Sequence, residues 1–147
     1  MKIIKLYKKA NLFQPIYWDS KDGHGAVPNN QNVDYLGFVK EMNVSDFLIL
    51  SPPGFSNFET VRFIEDAIEN GEPIAPPFFI ADWDKENNRW LIIDHEGRSR
   101  AQAILNQYGN GIKIPVHIFP QYMRSRNITE EMKEAPFLSQ MESRDLW

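Results

Sequence analysis

Two apolar runs, Phe78–Trp83 and Trp90–Asp94, stand on either side of the polar stretch Asp84-Lys85-Glu86-Asn87-Asn88-Arg89. Runs of that length, rich in aromatic and β-branched residues and split by turn formers, read as the two strands of a β-hairpin. The second run ends at Asp94, and after Gly97 the pattern changes period. Ala101, Ala103, Ile104, Leu105 and Tyr108 fall at helical spacing, with Gly109 and Gly111 closing the segment. Strand, tight turn, helix is therefore the unit around which the rest must be built.

The flanking segments supply the remaining elements. Tyr35–Met42 reads as a strand, and Ser45-Asp46 as the cap of a short helical turn stopped by Pro52-Pro53-Gly54. Asn57 caps a helix over 58–70, with Val61, Ile64, Ala67 and Ile68 on one face and Gly71 at its end. Ile112–Phe119 reads as a final strand, and Pro115 argues for an edge position or a strand start. Residues 2–7 suggest a short strand, and Asp19–Asp34 a long loop rich in Gly, Asn and Pro. Beyond Gln121 the chain is polar, with a short helix capped by Thr129 and broken by Pro136, and it reads as a loosely attached tail. The expected fold is α/β (α+β): a small mixed sheet with two or three flanking helices. One domain covers 1–120, its motif core at 35–120, and the tail covers 121–147. The 147 residues suit one domain with a real core.

Composition removes whole classes of function. With no cysteine, disulfide frameworks, zinc ribbons and thiol catalysis are out. Apolar stretches such as Phe47–Leu50 and Pro76–Ala81 are far short of the roughly 18–20 residues of a membrane span. The basic opening Met1–Lys9 has no apolar h-region, so a cytoplasmic protein without a secretory signal is expected. A formal net charge of −4 does not suit a protein that coats duplex DNA, so any nucleic-acid contact must be local.

That local contact points to the strand–helix junction. A helix N-terminus offers free N–H groups and a partial positive charge, which together make an anion site. Gly97 lets the backbone approach a phosphate, and Arg98, Ser99 and Arg100 follow it. Arg98 and Arg100 stand roughly 200° apart on a helix, so both serve one phosphate only if Arg98 lies in the non-helical turn. Arginines in a first helical turn also oppose the dipole, so their presence needs a reason.

Glu96-Gly97-x-x-Arg100-x-x-Ala103, after a buried strand and before a helix, resembles the signature of the ParB/sulfiredoxin superfamily. Members carry Asp-Gly-x-His-Arg or Gly-Glu-Arg-Arg followed by a helical alanine. The upstream order is similar as well: a helix ending in Gly71, a proline turn over Pro73–Pro77, a hairpin into the signature, and a short strand at Ile114-Pro115-Val116. The variant His95-Glu96-Gly97-Arg98-x-Arg100 is similar to ParB-like domains of phage and mobile-element proteins.

The resemblance implies a nucleotide or nucleic-acid phosphate bound at Gly97, Arg98, Ser99 and Arg100. The superfamily includes CTP-binding partition proteins, proposed nucleases, kinases of free serine and sulfiredoxins. The missing cysteine excludes the sulfiredoxin branch, and nothing after Phe119 is patterned as the helix-turn-helix of partition proteins.

Asp94, His95 and Glu96 are the candidates for acid–base chemistry on a phosphodiester or nucleotide, with Mg²⁺ accompanying a nucleotide; His95 is the best single candidate for a general base, since an unperturbed histidine titrates near neutrality. The bland alternative caps the helix with Asp94 and pairs Glu96 with an arginine. His24 and Asp22 are candidates for a lid over the site. Asp82 and Asp84 resemble half of a divalent-metal site, although hairpin turns favour Asp anyway, and no metal ligands are assigned. His117 is expected to face solvent or a polar pocket edge.

Lys2, Lys5, Lys8 and Lys9 either track a nucleic-acid backbone or guard an edge strand. Tyr17-Trp18 is a weaker candidate for base stacking. Residues 59–96 hold ten acids and three basic residues, a net of −7. The rival function uses this acidic face: a non-enzymatic phage or plasmid accessory protein that binds and inhibits a host or defence factor. A second copy of the chain is a further candidate partner.

Overall fold

The structure is a computed structural model that describes residues 32–51, 57–70 and 74–146. Strand β1 (Phe38–Asn43) runs directly into α1 (Val44–Leu50), and α2 (Phe58–Glu69) follows. The hairpin comes next, β2 (Phe78–Asp84) and β3 (Arg89–Glu96), then α3 (Arg98–Tyr108) and β4 (Lys113–Gln121). A 3-10 turn (Ser125–Asn127), α4 (Glu130–Lys133), β5 (Phe137–Leu138) and α5 (Gln140–Arg144) complete the described chain. The strands form one mixed sheet in the order β1-β4-β2-β3-β5, with β4 parallel to β2 and β5 parallel to β3. The expected small mixed α+β fold is therefore the one observed. No helix among the described residues is long and apolar enough to cross a membrane.

One face of the sheet carries the main core. Phe79, Trp90, Ile92, Ile114, Val116 and Ile118 pack there against Phe47 of α1, Ile64 and Ile68 of α2, and Ala101 and Ile104 of α3. The opposite face carries a smaller cluster of Phe78, Ile80 and Phe119 under Val33. The sheet curls around the main core. The rings of Phe38 on β1 and Trp90 on β3 lie 5.7 Å apart although two strands separate them. Lys40 Nζ crosses the gap to donate to the Lys133 carbonyl at 3.1 Å and to pair with Glu134 at 3.2 Å.

Helix α2 matches its sequence pattern closely. The Asn57 side chain accepts from the N–H groups of Glu59 and Thr60, and Val61, Ile64 and Ile68 are buried. Helix α1 departs from its pattern. Its N-cap is Asn43, without a side-chain cap, so Ser45 and Asp46 sit inside the helix. Fully buried Val44, whose N–H donates to the Ile112 carbonyl at 3.0 Å, fixes that start. Strand β1 starts at Phe38 rather than Tyr35. A Cβ on Gly37, at φ +50°, would lie 1.9 Å from the Ile118 carbonyl oxygen, so the chain turns there.

Strand β4 is not an edge. It lies between β1 and β2, and Pro115 pairs with Glu41. The His117 N–H points toward β2, donating to the Pro77 carbonyl at 3.0 Å. Residues two apart on a strand point their N–H groups the same way, so Pro115 lacks an N–H just where β2 has not yet begun. The segment after β4 is also docked rather than loose. The Trp90 backbone N–H donates to the Pro136 carbonyl at 2.9 Å, its indole N–H donates to the Met132 carbonyl at 2.8 Å, and β5 extends the sheet. The short helix capped by Thr129 is present as α4.

Candidate functional site

The β3–α3 junction is built from a bulge and a glycine. Ile80 pairs with Asp94 but Ala81 pairs with Ile92, which leaves Ile93 as the extra residue of a β-bulge. The bulge inverts the alternation of the last part of β3. Asp94 and Glu96 pair with Ile80 and Phe78 and so share the face of the smaller cluster. His95 pairs with Phe79 and belongs to the face of the main core. The three acid–base candidates are thus divided between the two sides of the sheet.

Gly97 is the N-cap of α3 at φ +111°, a region that L side chains rarely adopt. A Cβ here would lie 2.6 Å from Pro77 Cβ, 2.8 Å from Pro77 Cα and 2.9 Å from Arg100 Nη2. Packing against Pro77 thus demands glycine on its own account. Helix α3 opens with the Ala101 N–H donating to the Gly97 carbonyl at 2.9 Å. Its N-terminus has no side-chain cap and its first turn holds no acid.

Arg98 is the first helical residue, so the condition under which both arginines serve one phosphate is not met. Its Nη1 donates to the Leu48 carbonyl at 2.8 Å, to the Ser51 carbonyl, and to Ser51 Oγ at 3.2 Å. The guanidinium therefore closes the C-terminal end of α1, where a cation complements the dipole, and this accounts for an arginine placed against the dipole of α3. Burial pulls its pKa below the usual arginine value. Arg100 is buried at 3% exposure, and its Nη1 lies 3.9 Å from Glu96 Oε1. Ser99 remains partly exposed between them.

Burial raises the Glu96 carboxyl above its usual 4.5; the charges of Arg100 and His95 oppose that shift and Asp94 adds to it. Native Glu96 then binds its proton more tightly than the unfolded chain does, so stability falls as pH rises from about 4.5 through the raised native value. Glu96→Gln removes this dependence. Urea unfolding at stepped pH should show the variant gaining on wild type as pH rises through that window, and a difference independent of pH would refute the assignment.

His95 Nδ1 lies 2.5 Å from Gln140 Oε1 at the start of α5. The backbone N–H of His95 donates to Asp94 Oδ1 at 2.8 Å, so Asp94 caps no helix. Sequence reading misses Gln140, Ser51 and Pro77, because each meets the junction from a distant segment. Asp84 accepts from Asn87 and from Arg89, both at 2.9 Å, which makes it a hairpin-turn residue. Among the described residues no group of three His, Asp or Glu side chains forms a metal site.

His117 is buried at 6% exposure and faces neither solvent nor a pocket edge. Its Nε2–H donates to the Leu36 carbonyl at 2.9 Å, its ring stacks on Phe119, and burial pushes its pKa down. His24, Asp22, Tyr17, Trp18, the strand over 2–7, the Asp19–Asp34 loop as far as Gln31 and the amino-terminal lysines lie outside the described residues, as do Pro52–Gly54, Gly71 and Pro73. Comparison of the chain with models of protein families, with curated proteins and with solved structures finds no match.

Proposed function

We propose that this chain is a ParB/sulfiredoxin-like domain that binds a phosphate group, of a nucleotide or of nucleic acid, at the Gly97–Arg100 turn. The observation that carries the reading is the start of α3. It is an 11-residue helix opened by a left-handed glycine, with no capping side chain and no acid in its first turn. Such an end favours an oxyanion held by backbone N–H groups. Arg98 is committed to α1, so the phosphate would rest on the first-turn N–H groups and the Ser99 hydroxyl, over the buried charge of Arg100.

Nucleotide hydrolysis, phosphotransfer or nuclease cleavage would draw on Glu96 or His95, which lie on opposite faces of the sheet. Glu96, with its raised pKa, suits a general acid. His95, held through Nδ1 by Gln140, leaves Nε2 for proton transfer. Asp94 would act through its charge beside Glu96. Mg²⁺ enters as the nucleotide's own counter-ion, and the cytoplasm is the proposed location.

The rival reading, an accessory protein that occludes a host factor, draws on one observation. Phe58 and Phe63 of α2 are both 74% exposed, on a helix surface with exposed Glu59, Asp66 and Glu69.

Ser99→Asp separates binding from folding. An acid in the first turn suits the dipole, so the melting temperature should hold or rise, while phosphate affinity should fall at least about tenfold. Isothermal titration with the four nucleoside triphosphates plus Mg²⁺, and with short oligonucleotides, reads the effect. Failure of every ligand to bind wild type would overturn the reading, as would equal binding by Ser99→Asp.

A further inference from the structure

At the other end of the sheet, between the β2–β3 turn and α4, lies a cleft of about 500 Å³. Trp83 forms one wall and Met132 lines it too, with Asn88, Thr129, Glu131 and Glu134 among the remaining residues. The Trp83 indole is held from behind by Trp90, edge to face at 4.9 Å. Trp90 is in turn fixed by its hydrogen bond to the Met132 carbonyl. The aromatic wall is therefore rigid, and it is only partly buried.

None of the described residues lining the cleft is basic, and two are carboxylates. Glu134 is shared with Lys40, which approaches it from β1, outside the lining. Glu131 makes no ion pair among the described residues and is exposed. An indole wall and an unneutralised carboxylate both favour positive charge, while the buried Met132 supplies apolar lining, its Sδ already accepting from the Thr129 N–H. The volume is in the range of pockets for organic ligands rather than a bare ion.

The geometry points to a binding site for an organic cation, an alkylammonium or a guanidinium, stacked on Trp83 and facing Glu131. The cation is either a small quaternary amine or the head of a lysine or arginine presented by a partner. This site is separate from the Gly97 turn, and neither reading depends on the other.

Titration of the full ¹⁵N-labelled chain followed at the indole N–H signals tests it, with the Trp83 signal identified by its loss in Trp83→Phe. The probes are choline, N-acetylargininamide and 3,3-dimethylbutanol, the last being choline's neutral isostere. Choline or N-acetylargininamide should shift the Trp83 signal saturably, and whichever binds tighter identifies the source of the cation. Glu131→Gln, a change at an exposed position, should weaken that binding about fivefold. A lack of saturation with either cation would overturn the proposal. So would dimethylbutanol binding as tightly as choline, or an unchanged affinity in Glu131→Gln.

Discussion

Gly97→Ala is expected to destabilise the fold by about 3 kcal/mol, the sum of left-handed strain and a forced contact. The new Cβ meets backbone and ring atoms of Pro77 at 2.8 and 2.6 Å, neither of which is the far end of a flexible side chain. Relief requires the Pro77 segment or the start of α3 to move. Since Pro77 accepts from the His117 N–H, movement there strains the entry into the β2–β4 pair. For a chain of this size the loss corresponds to a fall of roughly 6–12 °C in Tm. Thermal and urea unfolding would measure it, and a loss below about 0.5 kcal/mol would show that the turn relaxes freely.

Trp90→Ala should cost more, about 4 kcal/mol, because Trp90 is fully buried at the centre of the main core and its removal leaves a cavity. Trp90→Phe separates two contributions. It keeps most of the apolar volume but removes one donor to the Met132 carbonyl, which still accepts from the Ala135 N–H at 3.2 Å, for about 1 kcal/mol. The Met132 carbonyl belongs to the segment docked by β5, so both variants should open residues 129–146 to limited proteolysis, alanine more than phenylalanine. Equal losses in the two variants would contradict this division.

The elements readable from the chain were those specified by their own neighbours. The 58–70 helix carries its cap and its apolar face within a dozen residues, and the hairpin carries its turn, so both appear within a residue or two of expectation. Pro115 marks the start of β4, one of its two readings, but not an edge strand. Its tolerance in β4 depends on where β2 begins, about forty residues upstream. The polar tail reads as loose because its few apolar residues are sufficient only once Trp90 supplies two hydrogen-bond donors.

At the site, the turn and its glycine were legible and the roles of the side chains were not. Alternation separates His95 from Glu96, but which of them takes the face of the main core depends on one bulged residue, Ile93, which strand alternation cannot reveal. The partner of Arg98 is the end of a helix some fifty residues away, so charge and spacing alone suggest a ligand.

The strand order also sets a schedule for folding. The β2–β3 hairpin can close as soon as its residues exist, but among the described residues β1 pairs only with β4, and Phe38 faces Ile118 across eighty residues of chain. Until β4 is made, Phe38 and Met42 have no sheet to join, and that long loop must close before their burial gives any return. Joining β1 to β4 is thus the slow step that topology imposes. The nascent chain carries β1 unpaired for as long as that step lasts, with Phe38 and Met42 uncovered and only Lys40 and Glu41 between them to discourage pairing with other chains.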